Sequence, residues 1–143
     1  MKKLSGIIAC CISLSACMAG RPSLVKGTAG PPASARWVLQ SLEDTALQRQ
    51  WRGVATLVLG RDSAASGHMI CNTFNGHYTI DTAERSLQFN HLAATWKACS
   101  GSKAEAAYMN MLRSIDHYEL TAQRLIVYSG GKKLAVYDLS KGN

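Results

Sequence analysis

The sequence predicts an α+β domain: a curved, mostly antiparallel β-sheet or incomplete barrel closed by one main α-helix. Two periodicities carry this expectation. Segments around Arg36–Ser41, Phe74–Tyr78, Ser86–Phe89, His117–Thr121, Arg124–Ser129 and Lys132–Leu139 alternate apolar and polar residues, the two-residue period of half-buried strands. Only one stretch changes period: Ala104, Ala107, Tyr108, Met111, Leu112 and Ile115 recur at three- and four-residue steps and make one helical stripe. A length of 143 residues allows one domain with a modest core, and no internal repeat is visible.

The chain opens with Lys2 and Lys3, then an apolar run from Leu4 to Leu14 too short to span a bilayer as a permanent helix. Leu14-Ser15-Ala16-Cys17 follows. This resembles a bacterial lipobox, which implies that residues 1–16 are a lipoprotein signal peptide and that Cys17 becomes the lipidated first residue. The alternative is an ordinary secretory signal cut nearby; both readings export the protein. Met18 in place of an aspartate resembles sorting to the outer membrane, with the domain on its periplasmic face. Residues 17–35 hold all three prolines, with Gly20, Gly27 and Gly30, and read as a flexible tether. The folded domain is expected over residues 36–143.

Trp37 and Leu39 share one face of the first strand. Leu42 to Gly53 is ambiguous between a loop and a short helix ending near Trp51. Val54–Leu59 is apolar nearly throughout, as a strand covered on both faces would be. Gly60-Arg61-Asp62-Ser63 turns the chain, and Gly67 to Cys71 leads into a dense motif. There, a tight turn is expected at Asn75-Gly76, with Phe74, Gly76 and Tyr78 on one face. Ser86–Phe89 hands over to a Leu92–Cys99 loop. Ser102 lies three residues before Glu105, the spacing of a capping box, so a helix is expected from about Lys103 to Ser114. A meander ends the chain, with Gly130-Gly131 supplying a hairpin turn.

The spacing of Cys71, Asn72, Phe74, Gly76 and Tyr78, followed by Leu92-Ala93 and by Thr95 to Cys99, resembles the META domain family, also called HslJ-like. Trp37, Leu39 and Gly67 fit the same pattern, and the resemblance covers roughly residues 36 to 139. It implies a structural role for Asn72, Phe74, Gly76, Tyr78 and Thr95. It also implies a link to heat shock and to tolerance of an antibiotic such as novobiocin, without fixing a biochemical activity.

Cys10 and Cys11 fall in the signal and Cys17 in the anchor, which leaves Cys71 and Cys99. An even pair in an oxidising compartment suggests a disulfide; two buried thiols filling core volume is the other reading. No Cys-x-x-Cys or His-x-x-x-His pair supports a zinc site, although His68, His77 and His91 could converge on one side of a hairpin. A Cys-His nucleophile would need a free thiol, and no phosphate-cradling loop, Gly-x-Ser-x-Gly elbow or paired-carboxylate spacing is present. Asn72 is expected to bond local backbone groups.

The whole chain carries a formal charge of +7, and +5 without Lys2 and Lys3, scattered rather than in blocks. A mildly basic surface suits anionic envelope components, and export argues against nucleic acid. The reading is thus a non-catalytic envelope lipoprotein with no cofactor and no metal, which binds a periplasmic or outer-membrane component in stress. Alternatives are an outer-membrane assembly factor resembling secretion pilot lipoproteins, or an inhibitor or enzyme of unrecognised chemistry. The expected binding surface is the sheet's concave side, with Leu57, Leu59 and Tyr78 beneath Tyr108 and Met111.

Overall fold

A computed structural model describes residues 30–43 and 51–140. Eight strands run in sequence order round an antiparallel barrel: β1 (Arg36–Leu42), β2 (Thr56–Leu59), β3 (Ala64–His68), β4 (Thr73–Asp81), β5 (Ser86–Ala94), β6 (His117–Leu120), β7 (Arg124–Ser129) and β8 (Lys132–Leu139). Pairing of β1 with β8, from Trp37 opposite Leu139 to Leu42 opposite Ala135, closes the ring. The helix α1 (Ser102–Ser114) lies between β5 and β6 in the chain.

The helix falls where the ring is weakest. β5 and β6 pair only at Ser86 opposite His117, while β4 and β5 pair from Asp81–Ser86 to Phe74–Ala94. Beyond that single bridge, α1 takes the place of a strand partner for β5, and Arg113 ties it there by donating from Nη2 to the Leu92 carbonyl at 3.1 Å. The sequence expectation of a curved sheet closed by a helix therefore holds.

Alternation in the strands explains the core. Trp37 and Leu39 of β1, Leu57 and Leu59 of β2, Leu87 and Phe89 of β5, Leu125 and Val127 of β7, and Ala135 and Tyr137 of β8 all point inward and are buried. From the helix, Tyr108 enters this core. Its ring stacks on Trp51 with centroids 4.7 Å apart and meets Phe74 edge-on at 6.3 Å, and its hydroxyl lies 2.8 Å from that of Tyr137. Burial raises both phenol pKa values well above 10.

Several expectations change. The Asn75-Gly76 dipeptide makes no turn, because β4 runs straight through it with partners on both sides. Gly76 instead faces a β-bulge. Asn75 pairs with Ala93 and His77 with Asn90, so His91 and Leu92 both oppose Gly76, and His91 takes φ +53°. A Cβ on Gly76 would come within 2.9 Å of the Asn90 carbonyl oxygen and 3.0 Å of the Leu92 Cα. β5 extends to Ala94, shortening the expected Leu92–Cys99 loop. Val54 is exposed and Val58 only half-buried, so the β2 region is not covered on both faces. On α1, Ala107 is exposed, whereas Glu105 and Met109 are buried. The Gly130-Gly131 turn forms as expected, with φ of +55° and +79°. Within the ambiguous Leu42 to Gly53 stretch, residues 44–50 lie outside the described residues.

Candidate functional site

Glu105 sits on the buried stripe of α1, one helical turn before Tyr108 and Met109, and the residue is 4 % exposed. It is no helix cap: α1 starts from Gly101 without a side-chain cap bond. Instead Oε1 accepts from the backbone N–H of Cys71 at 2.7 Å and of Asn72 at 3.0 Å, and Oε2 accepts from Asn72 Nδ2 at 2.6 Å. Burial pushes the Glu105 carboxyl up, but the Asn72 side chain, these two backbone donors and the charge of His68 outweigh it and hold it below its usual value. The helix is thereby bolted to the corner between β3 and β4.

Asn72 is the hub of that bolt. Its Oδ1 accepts from Thr95 Oγ1 at 2.9 Å and from the Lys97 N–H at 2.8 Å. Thr95 Oγ1 also accepts from the Thr73 N–H at 3.2 Å, and the Thr95 N–H reaches the Thr73 carbonyl at 3.0 Å. The expectation of local backbone bonds from the Asn72 side chain is corrected, since its side-chain partners lie 23 to 33 residues away, while its backbone carbonyl accepts locally from the Met69 N–H at 2.7 Å. A disulfide between Cys71 and Cys99 ties the segment after β5 to the same corner.

Above this floor lies a groove of about 290 Å³. Met69, Ala106 and Met109 line it together with Ala94, Ala98 and Cys99, and the exposed Trp96 and Lys97 stand at its edge. Asn72, Thr95 and Glu105 reach it with their polar atoms already paired. Trp96 is 93 % exposed, against full burial of Trp37 and Trp51. The concave side of the sheet offers no comparable space at the expected residues: Leu57 and Leu59 are packed in the core, and Tyr78 donates to the Gly60 carbonyl at 2.7 Å.

Of the residues singled out in the sequence, Cys71, Asn72, Thr95 and Cys99 meet here. Phe74 packs beneath, whereas Gly76 and Tyr78 shape β4 further along. Cys17 lies outside the described residues. His77 and His91 face each other with ring centroids 6.4 Å apart, while His68 bears on Glu105. Among the described residues, the cluster of three metal-ligating side chains is Cys71, Cys99 and Glu105, with ligating atoms within 4.8 Å of one another. Its sulfurs are bonded to each other and its carboxylate is engaged by three N–H donors, so it suits no ion in this state. The sequence marks Glu105 only by its capping-box spacing from Ser102 and Lys97 only as part of the span from Thr95 to Cys99, neither as a site residue. An acidic residue flanked by Ala104, Tyr108 and Met109 on the apolar stripe was the signal for the first; for the second there was none.

Fold and site together define a small antiparallel barrel whose open seam is sealed by one helix, with an Asn–Glu–Thr cluster as the seal. The META domain family model matches residues 32–141, and the chain belongs to that family. It is similar to a protein from Burkholderia xenovorans solved by NMR, with 26 % identity, coverage of 77 % of this chain and 84 % of that one, and a TM-score of 0.59. A crystal structure of a DUF4847 family protein from Bacteroides vulgatus ATCC 8482 shares the fold at 15 % identity, covering 78 % and 96 % of the two chains with a TM-score of 0.57. No curated protein matches the chain.

Proposed function

We propose that this META-domain chain is a non-catalytic envelope lipoprotein, anchored through Cys17, that binds a periplasmic or outer-membrane component in stress or antibiotic tolerance. The observation that carries the binding role is the groove beside α1: apolar walls over a floor whose polar groups are already paired, which is the make-up of a binding cleft rather than of a reacting centre. Its position supports the same reading. Gly30 packs against Ile80 and Thr82 near the far end of β4, whereas Thr73, at the near end, bonds Thr95 under the groove. The length of β4 separates them, roughly 26 Å. A lipid joined upstream of Gly30 would enter the domain at the end of β4 away from the groove, so the attachment itself does not cover the groove.

The test is survival of cells under novobiocin. Ala106→Trp puts bulk into the groove from an exposed helix position, so the fold is retained, as circular dichroism would check. Its survival should fall to that of cells lacking the protein, whereas His68, His77, His91 and His117 changed singly to Gln should leave protection intact. Loss of protection from one histidine change, in a protein still folded and abundant, would point to acid–base or metal chemistry instead.

A further inference from the structure

We infer that the groove between α1 and the segment from Thr95 to Cys99 takes a single-chain anionic amphiphile, an acyl chain with a carboxylate head, and that Lys97 receives the head; this rests on the binding role proposed above. Size sets the first limit. A volume of about 290 Å³ holds about ten groups of the size of a water molecule, so it admits one chain of about ten carbons.

Chemistry of the walls decides between an acyl chain and a peptide. An extended peptide brings an N–H and a C=O with every residue, and each one buried without a partner is costly. The side chains that could serve them are occupied: Asn72 Oδ1 by Thr95 and Lys97, Asn72 Nδ2 by Glu105 Oε2, and Glu105 Oε1 by two backbone N–H groups. The rest of the lining includes the side chains of Met69, Met109, Ala94, Ala98 and Ala106, with no polar group among them, which suits methylenes. The two methionines can adapt to a flexible chain.

Charge sets the sign of the head group. Glu105 is the acidic residue of the lining; its carboxylate is ionised but buried, with its oxygens taken up by three N–H donors, so the head group must sit away from it at the rim. Lys97 stands exposed at the rim, and among the described residues no carboxylate lies within 4.0 Å of its ammonium, the ion pairs being Arg124–Asp138 and Lys133–Glu43. Lys103, one turn before Ala106 on the same exposed stripe, adds to the positive field. Trp96 beside Lys97 supplies an aromatic plate at the water boundary, the position that suits an indole between apolar chain and solvent.

The experiment titrates decanoate into residues 17–143 carrying Cys17→Ser, exported behind an ordinary cleavable signal peptide and purified from the periplasm, and follows tryptophan emission. Because Trp96 is the exposed indole, a chain entering the groove should shift emission to the blue and saturate. Decyltrimethylammonium, with the same chain and the opposite charge, should bind at least tenfold more weakly. Lys97→Glu should weaken decanoate by at least tenfold while leaving the circular dichroism spectrum unchanged, and Ala106→Trp, followed by calorimetry, should abolish binding. Absence of saturable decanoate binding, equal binding of the cationic amphiphile, or an unchanged Lys97→Glu affinity would overturn the inference. If decanoate fails but a protein or peptide is captured at position 96 in cells, the amphiphile assignment falls and the binding role stands.

Discussion

The Glu105 carboxylate holds the Asn72 side chain at 2.6 Å, joining the first turn of α1 to a residue 33 positions earlier in the chain. Through Asn72 the same carboxylate fixes Thr95 and Lys97, so one buried acid orders the helix, the β3–β4 corner and the groove rim together. Removing it should cost more than an ordinary surface change. Glu105→Ala leaves three donors without acceptors in a buried place, and should destabilise the domain by about 3 kcal/mol or more in urea unfolding. Glu105→Gln keeps one acceptor but sets an amide N–H₂ against a donor, and should fall between wild type and Ala.

Acid should reveal the same carboxylate. Its folded pKa lies below the ordinary value of 4.5, so its contribution to stability is fully present above that value and is lost as pH falls through the folded one. Unfolding free energy measured from pH 7 downward should show a loss on this acid limb that is absent from Glu105→Gln. Parallel limbs in the two proteins would argue against the carboxylate as the source.

Cys71 and Cys99 close a loop with a sequence separation of 28. The chain-entropy model assigns such a link about 3.5 kcal/mol. Thiol labelling of the denatured, unreduced protein should find neither cysteine free. Cys71→Ala and Cys99→Ala should each lower Tm by about as much as the double change, since each removes the same bond.

Gly67 tests the packing of the barrel wall. A Cβ there would collide with the Thr56 carbonyl oxygen and with the Phe74 ring, both in regular structure. Gly67→Ala should therefore destabilise by about 1–3 kcal/mol, measured as a lowered urea midpoint, whereas Gly53→Ala, with open space around it but φ of +74°, reports backbone strain alone.

The core hydroxyls of Tyr108 and Tyr137 should behave as a unit. Tyr108→Phe leaves the Tyr137 hydroxyl buried and unpaired, at a cost of about 1–3 kcal/mol, and the double Phe variant should recover part of that loss.

Much of the barrel was legible in the sequence because alternation records which face of a strand meets the core. Phe74 and Tyr78 against Thr73, His77 and Thr79 show it plainly. Asn75-Gly76 misled because the dipeptide favours a turn only where the chain lacks strand partners, and β3 and β5 supply them here. Gly76 is needed instead for the close approach of bulged β5, a tertiary fact with no local trace. The site was half legible. Its cysteines, Asn72 and Thr95 stood out by spacing, but Glu105 matched a capping-box spacing at a helix start, and only the fold shows that its acceptors serve residues far away in sequence.

The binding role proposed for the groove beside Trp96 can be tested where the protein works. Photo-crosslinking in intact cells tests it most directly, with p-benzoylphenylalanine replacing Trp96 in the chain expressed from its own start and, separately, Thr79 on the exposed face of β4. A discrete adduct is expected from position 96, lost when Ala106→Trp is added, and none from position 79. An absence of adduct at 96, or the same adduct from both positions, would contradict it.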